Sequence, residues 1–135
     1  RHKKRIVIYN EAKERDETIE RYKRDPTPLV IVAPSMERGI DLPGDLCRVV
    51  IVLKMPFPYL GDAQVSSRLY GSKDGRIWYT TETIRSVVQA TGRGVRHEKD
   101  KCTIYILDKQ FGRIFKEYRN AFPSWWREAL RVKKN

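Results

Sequence analysis

The chain has 135 residues, 40% of them hydrophobic and 33% charged, the size and balance of one folded domain and not of a pair of domains or a disordered tail. No apolar run approaches the roughly 20 residues of a membrane-spanning helix, and the basic start RHKKR leads into no apolar segment with a small-residue cleavage site, so the expectation is a soluble, intracellular protein with no membrane partner. Lys and Arg outnumber Asp and Glu by 28 to 17, a formal charge of +11, which suits a polyanionic partner, nucleic acid first, and equally a basic solvated surface with no specific partner.

In chain order, residues 5–9 (RIVIY) form a short β-rich run, and residues 11–24 form a charged stretch without Pro or Gly that predicts an exposed helix. Pro26 and Pro28 break it. Residues 29–33 (LVIVA) are then a near-continuous apolar run, the pattern of a strand covered on both faces, and residues 49–53 (VVIVL) and 102–107 (CTIYIL) repeat it. Residues 62–70 predict a second helix. Residues 80–91 predict a third, with Thr80 or Thr81 as N-cap and with Ile84, Val87, Val88 and Thr91 on one face at i, i+3, i+4 and i+7. Gln89 projects off that stripe, and Gly92-Arg93-Gly94 is expected to end the helix and hold the chain in an open loop.

Residues 109–119 and 124–131 read as two last helices, the first with Phe111, Ile114, Phe115 and Tyr118 in a stripe, the second anchored in the core by Trp125 and Trp126. Apolar strands alternating with helices define an α/β domain, a parallel sheet flanked by helices. Cys47 and Cys102 stand in strand-like surroundings and form no CxxC pair, so they read as small core hydrophobes and no metal site is indicated.

Ligands of open parallel sheets bind beyond the carboxyl ends of the strands, which draws attention to the loop Pro34-Ser35-Met36-Glu37-Arg38-Gly39-Ile40-Asp41-Leu42. By itself it suits a structural turn as well as a site. Ahead of the last strand stands Gln89-Ala90-Thr91-Gly92-Arg93-Gly94-Val95-Arg96. Two arginines three residues apart beside a glycine can aim both guanidinium groups at one transferring phosphoryl group, and the same pattern equally suits a nucleic-acid backbone or solvent.

Together, PSMERGIDL resembles motif V and QATGRGVR resembles motif VI of superfamily 2 helicases of the XPD/DinG type, at residues 34–42 and 89–96. The Q-x-x-G-R-x-x-R spacing is met by Gln89, Gly92, Arg93 and Arg96. Lys54-Met55-Pro56-Phe57-Pro58 between the motifs, Trp78-Tyr79, the strand ending at Asp108 and Phe122-Pro123-Ser124-Trp125-Trp126 are similar too, so the likeness runs from about Arg5 to Leu130.

The resemblance implies a RecA-like (P-loop NTPase-like) fold over residues 1–135, the second motor domain of an ATP-dependent DNA helicase. Nothing like motif IV precedes Arg5, so it also implies that the first strand of that fold lies outside the chain. Arg93 and Arg96 would be arginine fingers to ATP bound on a first RecA-like domain, with Gln89 orienting the nucleotide or the attacking water. Gly39, Asp41 and Gly92 would line the nucleotide cleft. Ser35, Met36 and Arg38 would meet single-stranded DNA. Mg2+, and an iron–sulfur cluster where relatives carry one, would belong to the first domain.

Two departures stand out. Arg38 occupies the place of a usual Glu, with Glu37 one position earlier, and Gly94 replaces a usual Ser or Ala, a change expected to loosen the loop slightly. The chain has no G-x-x-x-x-G-K-[ST] phosphate loop. Asp16-Glu17, its one Asp-Glu pair reminiscent of a metal-binding box, reads as a solvated helix face. The rival expectation is a binding or interaction module with a helicase-like fold but no motor function.

Overall fold

A computed structural model describes residues 3–33, 42, 44–95 and 99–131. Strand β1 (Ile6–Ile8), helix α1 (Ala12–Arg24) and strand β2 (Val30–Val32) form a first unit, in which the strands pair in parallel with Ile6 opposite Val30. Strand β3 (Val49–Val52), helices α2 (Ala63–Gly71) and α3 (Gly75–Thr91) and strand β4 (Thr103–Ile106) form a second, again parallel, with Val49 opposite Thr103. Helices α4 (Lys109–Glu117) and α5 (Ser124–Ala129) complete the chain. This is the expected α/β class, with the strands among the described residues in two parallel couples in place of one continuous sheet.

The first unit is tied to the second through α1. Ile19 is buried against Leu42 and Cys47, and the Tyr22 hydroxyl donates to the Leu46 carbonyl at 2.7 Å. Asp16 and Glu17 face solvent, as a charged helix surface should. The main core lies where α3, α4 and α5 meet. Met55, Ile84, Val87, Ile114, Phe122 and Trp126 are buried there with Phe111, Phe115 and Tyr118 against them, and the Phe122 and Trp126 rings stack at 4.9 Å. The predicted stripes of α3 and α4 therefore do face the core.

Three expectations need correction. The strands are not covered on both faces: Val50, Val52, Ile104 and Ile106 turn inward while Val49, Ile51, Leu53, Tyr105 and Leu107 are exposed, because among the described residues the helices cover one side only. Helix α3 starts at Gly75, well before Thr80. Gly75 lies against the carbonyls of Arg68 and Leu69, where a side chain would collide with backbone, so the α2–α3 hairpin closes tightly and the next helix begins at once. Thr80 and Thr81 therefore lie inside the helix and do not cap it, and within the same helix the Thr83 hydroxyl donates to Tyr79 O at 2.9 Å. Third, of the two anchoring tryptophans only Trp126 is buried, at 7% exposure, whereas Trp125 is 58% exposed.

Candidate functional site

The site grows from the end of α3. Gln89 is exposed there, off the core stripe. Thr91 is buried, and its hydroxyl donates to Val87 O at 2.8 Å while accepting from the Trp126 indole Nε1 at 2.8 Å. That pair of bonds satisfies two buried polar groups and pins the end of α3 to α5. Gly92 then has φ −74°, a right-handed value, so no left-handed glycine stops the helix. The chain tightens into a 3₁₀ turn, Gly92–Gly94, which carries Arg93 to the amino end of β4.

This turn is packed, not an open loop. Gly94 is buried, and a Cβ there would run into the Cys102 side chain and come within 2.9 Å of the Cys47 carbonyl oxygen. Glycine is thus needed for close approach and does not loosen the segment, which corrects the sequence expectation. Arg93 is half-buried with its Nε shut off from solvent. It lines the same groove as Gln89, along with Ile104, Trp125 and Leu130.

Ser35, Met36, Arg38, Gly39 and Asp41 of the first motif, and Arg96 of the second, lie outside the described residues. The flanks of the two motifs do meet. Leu42 is buried with Ile19 and Cys47, and the turn Gly44–Cys47 packs on the turn Gly92–Gly94. Gly44 has φ +57°, a left-handed conformation that glycine adopts without strain. Arg48 is held by Asp45 and by the Lys101 carbonyl at 3.3 Å.

The two cysteines pack together beneath Gly94. Burial, and then the neighbouring Cys102 thiol, push the Cys47 thiol up to about 11, and burial raises Cys102 as well. Both stay protonated near neutral pH and act as core atoms, as their sequence setting suggested. Among the described residues no group of His, Cys, Asp or Glu is placed to hold a metal ion.

The sequence reading missed the Thr91–Trp126 bond and the Gly94 contact. Thr91 gave a partial signal, as a polar residue at the end of an apolar stripe. Nothing in sequence joined it to a tryptophan so far along the chain.

A parallel α/β domain that presents the arginine of a Q-x-x-G-R-x-x-R segment on a packed turn, next to the flank of PSMERGIDL, is a RecA-like motor domain of the helicase class. The chain belongs to the helicase C-terminal domain family, which matches residues 1–129, and is of the XPD/DinG type. It is 27% identical to the ATP-dependent DNA helicase CHL1 of Saccharomyces cerevisiae, over 91% of this chain and 16% of that protein. It is 29% identical to the regulator of telomere elongation helicase 1 homolog of Caenorhabditis elegans, over 94% of this chain and 14% of that one. Against the Fanconi anemia group J protein homolog of Gallus gallus it is 27% identical over 79% of this chain and 9% of the relative. The chain therefore spans a small fraction of the length of these relatives. No helix among the described residues is long and apolar enough to cross a membrane.

Proposed function

We propose that this domain is the second half of an ATP-dependent DNA helicase motor, closing an ATP site whose phosphate loop and Mg2+ ligands belong to a first RecA-like domain of the same protein. The observation that carries the reading is the setting of Arg93. It sits on a turn braced by the Thr91–Trp126 bond and by the Gly94 contact, four residues beyond an exposed Gln89. A guanidinium held in place before the reaction stabilises charge that develops on a transferring phosphoryl group without reorganising at that moment.

The residues present fit part of that ligand. Gln89 and Arg93 offer donors to a phosphate arriving from outside the domain, and Arg96, Gly92, Gly39 and Asp41 complete the proposed nucleotide edge. Mg2+ is assigned to the first domain together with the phosphate loop, which this chain lacks. The core thiols Cys47 and Cys102 do not suit an iron–sulfur cluster, which would belong there also. Ser35, Met36 and Arg38 are assigned to the phosphates of single-stranded DNA, and a DNA substrate places the intact protein inside the cell.

The test is single-strand-stimulated ATP turnover of the intact protein with Arg93→Ala and Arg96→Ala. Each is expected to lower turnover by about 10³ to 10⁵-fold while ATP and DNA binding persist; the isolated domain is expected to show no turnover. Unchanged turnover in both variants would overturn the finger assignment. It would favour the alternative, a non-catalytic binding module, which has one observation on its side: the indole of Trp125 stands exposed on α5.

A further inference from the structure

Beyond the carboxyl ends of β3 and β4, at the opposite end of the strands from Arg93, a shallow cleft opens between the segment after β3 and the start of α4. Its rim carries Lys54, Lys109 and Arg113, all exposed. Among the described residues, no carboxylate lies within ion-pair distance of any of them. The acid in the cleft, Asp108, is already engaged: one carboxylate oxygen accepts from Met55 N at 2.8 Å and the other from Gln110 N at 2.9 Å. Three cations against one committed carboxylate leave the cleft positive, and crevices at this end of parallel strands are where such sheets take ligands.

Aromatic rings continue the cleft on one side. Phe57 lines it and stacks on Tyr79 at 5.8 Å with the planes 13° apart. The Tyr79 hydroxyl donates to Pro58 O at 2.9 Å, which fixes the segment carrying Phe57 and Tyr59 to α3. Tyr70, on α2, lies close enough to Tyr79 to disfavour its ionisation, the second cause after burial. Tyr59, two residues beyond Phe57, and Tyr70, next to the Tyr79 on which Phe57 stacks, expose 79% and 76% of their surface, so wet rings extend outward from the aromatic edge that Phe57 gives the cleft.

We propose that Lys54, Lys109 and Arg113 bind the phosphates of a single nucleic-acid strand whose bases stack on Phe57, Tyr59 and Tyr70. A positive groove with adjacent aromatic faces is the combination that takes single strands irrespective of sequence. Charge complementarity selects this occupant over an apolar protein surface, which would leave the three cations desolvated and unmatched. The inference rests on the domain being a nucleic-acid motor and adds a second contact, remote from PSMERGIDL in sequence.

The experiment is fluorescence anisotropy of the intact protein with a labelled oligo-dT strand, without nucleotide, over a range of salt concentrations. Tyr59→Ala and Tyr70→Ala are each expected to weaken binding about fivefold to a hundredfold with an unchanged salt slope, and Tyr→Phe at either position is expected to restore it. Lys54→Gln, Lys109→Gln and Arg113→Gln are each expected to flatten the logarithmic salt slope by about 0.7. Circular dichroism melts check that the variants stay folded. Wild-type binding to oligo-dT with all of these variants binding equally well overturns this inference alone. No binding by the wild type overturns it together with the motor reading.

Discussion

At the scale of single residues, the most consequential contact is one the sequence disguises. Gly94 departs from the small Ser or Ala usual in this motif and looks like a concession to flexibility. The structure puts the Cys102 side chain and the Cys47 carbonyl where its Cβ would be, and with φ outside the left-handed region the demand is for space, not for conformational freedom. Gly94→Ala is therefore expected to destabilise the domain by about 1–3 kcal/mol, the usual cost of overpacking a filled site. It should also lower ATP turnover of the intact protein by displacing Arg93. Urea unfolding measures the first effect, and a midpoint equal to that of the wild type would remove the close approach from the argument.

At the scale of elements, Asp108 joins β3 to the start of α4 by accepting from Met55 N and Gln110 N at once. These two bonds hold its carboxyl below the ordinary aspartate range against the opposing effect of burial, with a lesser lowering by the nearby Lys54. A depressed acid stabilises the fold above its unfolded pKa, near 3.9, and that contribution fades as pH falls through the lower folded value. Asp108→Asn keeps one acceptor oxygen and loses the charge. The gap in urea midpoint between wild type and variant should be open at pH 7 and should narrow below about pH 4; a gap that stays constant down to pH 3 would mean the charge is not its source. The elements themselves were largely legible. Apolar runs marked all of the strands, and the stripe Ile84, Val87, Val88 and Thr91 marked the buried face of α3, because periodicity records burial directly. The start of α3 was not legible, since it is set by the close approach of Gly75 to the Arg68 and Leu69 carbonyls, which leaves no mark in the periodicity. Of the proposed site, Gln89 and Arg93 were marked by the resemblance of QATGRGVR to motif VI. The sequence could not show that the turn bearing Arg93 is braced by Trp126 and by the two cysteines, since those contacts join residues remote in the chain.

At the scale of the molecule, the strands pose a conflict that sequence and structure share. Runs such as VVIVL are written for a sheet covered on both faces, yet Ile6, Ile8, Val30 and Val32 on one couple, and Val49, Ile51, Leu53, Tyr105 and Leu107 on the other, stand exposed. An apolar surface of this kind drives association in water, while the formal charge of +11 opposes it. The two forces respond to salt in opposite directions. Raising ionic strength from about 0.1 M to 1 M shortens the screening length from about 10 Å to about 3 Å, which weakens repulsion between copies and weakens contacts to phosphate together. The 135-residue chain is therefore expected to self-associate more as salt rises while its affinity for oligo-dT falls, and Ile51→Thr, which adds no charge, should suppress the first effect without touching the second. Sedimentation velocity alongside anisotropy separates them. A chain that stays monomeric at every salt concentration would mean that the exposed strand faces do not govern its behaviour in solution.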